Sequence, residues 1–293
     1  MKAKSTDWLI FISICIIWGS SFILMKRGMF DHAGNSTLSA FQVAALRMLS
    51  AGVILLPIAI KNFSSIPVKR TGILILSGLI GSFFPAFLFC IAETKINSAL
   101  AGTLNAVTPL FVIIIGGLLF HQKVAAQKII GVVVGLIGSI LLFLSHGYEE
   151  LGYVEYALFV LLATILYGLN VNIVQRHLKD IPSVQIAAIG FSLLIPASVL
   201  VLYFTGYFNL SLSKNEYLIS TFFSCLLGVM GTAFASIIFY MLVKRTSALF
   251  SSLVTYGIPF VAIGWGLLAG ETVTLMQIAC LAVILLGVYL ANR

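Results

Sequence analysis

Two polar pairs at matching places in the two halves of the chain are the first candidates for chemistry. Asn105 stands four residues before Pro109, and Thr255 stands four residues before Pro259. Residues four apart share one helix face. A proline in a helix interior removes a backbone hydrogen bond and frees a carbonyl one turn earlier. In lipid that carbonyl must find a neighbour, water or a ligand. Each pair therefore sets a polar side chain over a weakened turn. The two helices are expected to form facing walls of a central site and to bend at Pro109 and Pro259 as hinges; kinks that only shape packing are the alternative. Thr108 joins the polar set beside Pro109. Arg47 is the one formally charged residue well inside an apolar run, roughly 13 Å deep at 1.5 Å per residue. It could be the counter-ion of a substrate carboxylate or phosphate, or it could brace the bundle by holding carbonyls at helix ends. No Asp or Glu lies at a similar depth, so bracing is slightly preferred. Trp18, Tyr167, Tyr240 and Tyr256 lie within apolar runs, away from the interfaces where Trp and Tyr collect, and Asn170 adds an amide. Such residues suit a pocket for an amphipathic organic solute, with core packing the alternative for each.

The absences narrow the chemistry further. His32, His121, His146 and His177 fall in loops or at the ends of apolar runs, and no acidic residue falls in the interior of one. A buried Ser–His dyad, paired intramembrane aspartates and a His-Glu-x-x-His zinc site are unavailable. No catalytic residue, metal site or cofactor is expected. No phosphate-cradling glycine loop followed by Lys and Ser/Thr occurs, which argues against direct use of ATP. The four cysteines (Cys15, Cys90, Cys225, Cys280) stand singly inside apolar runs, without metal-ligand spacing, and read as small packing residues.

The elements that must position these residues are membrane helices. Of the 293 residues, 60% are hydrophobic and 9% charged, with a mean hydropathy of +1.12; a soluble domain carries about 25% charged residues. The apolar residues fall into ten runs, at roughly 8–25, 38–60, 71–92, 98–119, 127–145, 154–174, 184–205, 218–242, 247–269 and 274–292. Most are about 20 residues long, enough to cross a hydrocarbon core as a helix. The second half repeats the first. Gly78-x-x-Gly81-x-x-Phe84 returns as Gly228-x-x-Gly231-x-x-Phe234, Ser98-Ala99-Leu100 as Ser247-Ala248-Leu249, and Pro109 as Pro259, at offsets of 149–150. The expected organisation is 1–146 as one five-helix repeat and 147–293 as a second. Five is odd, so the second repeat enters the bilayer inverted. Inverted repeats with helix breakers at matching depths are the mark of a transporter with alternating access, its site near the midplane.

Charge fixes the expected orientation. Twelve basic residues fall on the side of both termini and four on the other, which places both termini in the cytoplasm by the positive-inside rule. The net charge of +8 is thus spread over loops, and no soluble segment is long enough to gather a nucleic-acid patch. The opening Met1-Lys2-Ala3-Lys4 resembles a signal peptide, but the apolar run continues to Met25 and the repeat needs it as the first span. Polar side chains concentrate in spans one, two, four, six, eight and nine, whereas five and ten are nearly bare, so five and ten are expected at the periphery. Gly131-Val132-Val133-Val134-Gly135 in span five fits the small-xxx-small pattern. Packing within the chain is its preferred reading and a homodimer contact the alternative.

Trp18-Gly19-Ser20-Ser21-Phe22, Leu46-Arg47-Met48, the stretch Asn105 to Pro109, and Pro259 followed by Glu271, Gln277 and Gly287 together resemble the EamA-type carriers of the drug/metabolite transporter superfamily over nearly the whole chain. The resemblance implies an all-α inner-membrane carrier of ten transmembrane helices, in two inverted five-helix repeats, moving small metabolites or drugs, often outward. The partners so implied are a small organic solute and the lipid bilayer. The chain departs from the pattern at His121, where the family usually has glutamate as at Glu271. With no intramembrane carboxylate to relay protons, facilitated diffusion or exchange is the first expectation and proton coupling by another route the second. A lipid flippase, a channel and a polytopic membrane enzyme are the rival readings.

Overall fold

Apolar runs in lipid must satisfy their backbone groups internally, and these do so as helices. The computed structural model describes residues 4–31, 33–96, 98–144, 153–268 and 274–292. His32, His146, Glu271 and the boundary expected at 146/147 lie outside the described residues. Among the described residues, nine helical stretches are long and apolar enough to cross a membrane: α1 (Ser5–Met29), α2 (Ala40–Asn62), α3 (Val68–Ala92), α4 (Leu100–Phe120), α6 (Glu155–His177), α7 (Ser183–Phe204), α8 (Asn215–Arg245), α9 (Ala248–Trp265) and α10 (Leu275–Asn292). Between α4 and α6 lies a further apolar helix, α5 (Ala126–Leu144). The only β pairing among the described residues is an isolated bridge between Phe30 and Ser36.

Local sequence sets the helix ends. Ser39 and Gln42 cap the start of α2 reciprocally, each side chain bonding the other's backbone N–H. Thr274 and Gln277 do the same for α10. Such capping boxes satisfy N–H groups that a helix start leaves orphaned.

The prolines act differently from a mid-helix kink. α4 is interrupted at Ala106 and Val107, and its inner part restarts at Thr108 with Pro109 in the first turn. α9 passes through a 3-10 stretch, Leu253–Gly257, before restarting at Ile258 and Pro259. A proline in the first turn of a helix forfeits no hydrogen bond, so each break lies just ahead of its proline. The repeated glycine motifs carry a second pair of irregularities. α3 widens to a π-helix over Leu79–Phe83 and α8 over Leu227–Phe234. Single-turn π segments of this kind concentrate at functional sites.

α5 and α10 pack along one another. A Cβ at Gly131 would collide with the backbone of Gly287 and Ala291, and one at Gly287 with the backbone of Gly135. The small-residue face of α5 is therefore used inside the chain. At the end of the bundle where α1 begins and α8 finishes, Arg245 Nε donates to Asp7 Oδ1 at 2.6 Å. Trp8, Phe11 and Phe250 fill the space beside this pair with centroids 5.2–5.5 Å apart.

Candidate functional site

Between the two halves lies a cavity of about 870 Å³, including its open mouth. Seven helices line it: α1, α2, α3 and α4 from the first half, and α6, α8 and α9 from the second. Trp18, Arg47, Asn105, Thr108, Tyr167, Asn170, Tyr240 and Thr255 all face this space. Tyr256 does not. Its side chain is wholly buried behind the wall, with the ring over Gly135 and the hydroxyl donating to Val132 O at 2.6 Å. Pro109 and Pro259 also stand back from the lining and act on it through the breaks that precede them.

Several of these side chains are pinned across the two halves. Trp18 Nε1 donates to Gly231 O in the π segment of α8 at 3.1 Å, and its ring packs on Phe239 at 5.0 Å. The irregular backbone of α8 thus supplies the acceptor that holds the indole. Asn170 Oδ1 accepts from Ser77 Oγ at 2.6 Å, and the Tyr240 hydroxyl stands within reach of both residues. Gly81, in the π segment of α3, is what admits Asn170; any Cβ there would overlap its amide. Tyr167 stacks on Phe89 at 6.1 Å and 28°. Thr108 Oγ1 bonds Asn105 O at 2.7 Å and Asn105 Oδ1 at 3.1 Å. Thr255 Oγ1 donates to Ser252 O at 3.0 Å, the local bond that serine and threonine commonly make in helices.

Arg47 makes one hydrogen bond among the described residues, from Nε to Thr232 Oγ1 at 2.6 Å. Among the described residues no helix-end carbonyl receives its guanidinium; the tie to a second helix that the bracing reading expected runs instead to a hydroxyl on α8, which takes the inner nitrogen of a side chain that lines the cavity. The two terminal nitrogens, the Tyr167 hydroxyl and the Asn105 amide NH₂ have no protein partner among the described residues. Among the described residues Arg47 is also the only formally charged one in the lining. Such a site can offer an anion a planar donor fork and an apolar body several aromatic faces. Among the described residues no group of three or more His, Cys, Asp or Glu is placed to hold a metal ion.

Two parts of the site were not visible in the sequence. Phe22, Phe89 and Phe239 line the cavity, yet a phenylalanine in a span carries no polar mark to separate a cavity face from a lipid face. Glu93, just past the end of the third apolar run, is wholly buried.

With this geometry in place, comparison with known proteins gives a consistent result. The profile of the EamA-like transporter family matches residues 6–144 and again 155–293. The uncharacterized transporter YoaV of Bacillus subtilis (strain 168) is 24% identical over 288 residues, covering 95% of this chain and 94% of the relative. An uncharacterized transporter of Archaeoglobus fulgidus is 22% identical over 288 residues, covering 98% of each chain. A solved crystal structure that is 16% identical shares the fold with a TM-score of 0.73, over 99% of this chain and 97% of that one.

Proposed function

The chain belongs to the EamA-like transporter family, and from that premise we propose that it is a secondary transporter of the inner membrane, an exporter or exchanger moving a small amphipathic solute by alternating access. In this reading ten helices form two inverted five-helix repeats and both termini are cytoplasmic. One observation carries it: a single cavity draws walls from both halves and keeps polar donors unspent, with the fork of Arg47 foremost. A structural core would have paired those donors, since an unsatisfied buried polar group costs about 1–3 kcal/mol. A broken helix ends in each repeat beside the cavity, at Asn105 and at Leu253–Gly257. Such breaks let the walls tilt without losing further backbone bonds.

The lining favours a solute with an aromatic or branched apolar body and one anionic group, received by Arg47, Asn105 and Tyr167. Binding and rocking of one half against the other suffice; no bond is made or broken in the solute. The test is counterflow in liposomes reconstituted with the purified protein, using benzoate, phenylalanine and phenylethylamine as probes that share a ring and differ in charge. Saturable exchange with preference for the carboxylate-bearing probes is expected. Flux without saturation, or no exchange of any probe by folded protein, contradicts the reading.

A further inference from the structure

Glu93 is the C-cap residue of the helix that ends α3, and its side chain is completely enclosed. Its Oε1 has no hydrogen-bond partner among the described residues, and its Oε2 accepts one long bond, from Ser98 Oγ at 3.4 Å. Lys26, the nearest cation, does not bond the carboxyl. Its Nζ instead donates to the backbone oxygens Glu93 O at 3.1 Å and Ile96 O at 3.3 Å. The carboxyl therefore sits at the negative pole of a helix, out of water and short of donors. An isolated carboxylate in such a place neutralises rather than remain charged. Among the described residues the charged groups within its electrostatic reach are Lys26 from α1 and Arg47 from α2; Ser98, just ahead of α4, adds a hydroxyl, its own helix adds the Cys90 thiol, and α6 brings no charge to bear on it. One helical turn before Glu93 stands Phe89, which lines the cavity.

We propose that Glu93 is a proton-binding site of this carrier, taking its proton from the side of the membrane where α3 and α4 meet, and that its charge state sets the positive field which Arg47 presents to an anion in the cavity. The inference rests on the transport reading for its consequence, though not for its test. When Glu93 is neutral, Arg47 is uncompensated and an anion binds best. When Glu93 ionises, the two charges oppose and the anion is released. Linkage requires the reverse as well, so an anion on Arg47 favours the protonated carboxyl. Proton and anion then travel together. Burial supports this by pushing the Glu93 carboxyl up to about 8, against the smaller opposing pulls of Lys26, Ser98 and Arg47.

Infrared difference spectroscopy of the full chain in lipid nanodiscs, titrated from acid to alkaline pH, tests the site without any solute. The wild type should show a protonated-carboxyl band at neutral pH that disappears with a midpoint near 8, and Glu93→Gln should lack it. Arg47→Gln should move the midpoint upward, whereas Arg47→Lys, which keeps the charge, should leave it near the wild-type position. Ser98→Ala, which removes the single bond to Oε2, should also raise it and serves if Glu93→Gln does not fold. A wild type without the band at neutral pH, a band that survives in Glu93→Gln, or a midpoint indifferent to Arg47→Gln overturns the proposal. Loss of counterflow with this titration intact would overturn the transport reading alone.

Discussion

At the scale of single residues, what matters is which hydrogen bonds are already spent. Arg47 spends Nε on Thr232 and keeps its fork, so Arg47→Lys should bind carboxylate probes markedly less well than wild type while Arg47→Gln abolishes their preference over phenylethylamine. Counterflow competition measures both, and equal treatment of all three probes by the wild type would remove the anion role. Tyr256 spends its hydroxyl on Val132 O. Tyr256→Phe should therefore lower stability by about 1 kcal/mol, seen as a lower melting temperature in detergent, with transport kinetics unchanged. Glu93 gives a pH dependence whose sign follows from its raised carboxyl. Between its ordinary value of 4.5 and about 8 the folded state holds a proton that the unfolded state has lost. Its contribution to stability is thus fully present below about 4.5 and is lost as pH rises to about 8. Melting temperature measured across that window should fall more steeply in wild type than in Glu93→Gln. The polar lining residues were legible in the sequence because Asn, Arg and Tyr inside a span stand out. Tyr256 misled because a satisfied core tyrosine and a pocket tyrosine look alike until the acceptor is seen.

At the scale of elements, the breaks and the close contacts are what sequence pattern and structure share least. Pro109 and Pro259 drew attention as kinks; the structure places the discontinuities two to six residues earlier, at Ala106–Val107 and Leu253–Gly257. That offset follows from proline's tolerance in the first turn, a detail that sequence periodicity does not reach. The π segments of α3 and α8 were signalled only as a repeated glycine spacing, since nothing in apolar side chains marks an extra residue per turn. Their consequence is sharp at Gly81, where Gly81→Ala should displace Asn170 and weaken counterflow several-fold while the protein stays folded; unchanged kinetics would show that Asn170 does not shape the cavity. The α5–α10 seam is a close backbone contact. Gly131→Leu should force the two helices apart at a stability cost typical of core overpacking, about 1–3 kcal/mol, read as a lower melting temperature.

At the scale of the whole molecule, hydropathy made the spans readable and left the packing partners unreadable. The runs matched helices because length and apolarity are local properties, whereas the burial of Glu93 depends on how three helices converge. Orientation is open to direct measurement. Cysteines placed at Ser213 and Lys179, both exposed, should differ in intact cells. An impermeant thiol reagent should label only the first if both termini are cytoplasmic, and the reverse pattern would invert the molecule.

The ion pair between Asp7 and Arg245 breaks the likeness of the two ends. It joins α1 to α8 at one end of the bundle with a carboxylate that is nearly enclosed, 5% exposed. The residue 150 positions before Arg245 is Lys95; among the described residues no acid pairs with it, and its ammonium rests over the Tyr153 ring at 5.8 Å. Under the alternating access proposed above, an ion pair at one end and a cation resting over a ring at the other would favour the posture in which the paired end is closed. Asp7→Asn should then weaken that preference, and single-molecule distance measurements across the paired end would see the closed posture lose its majority.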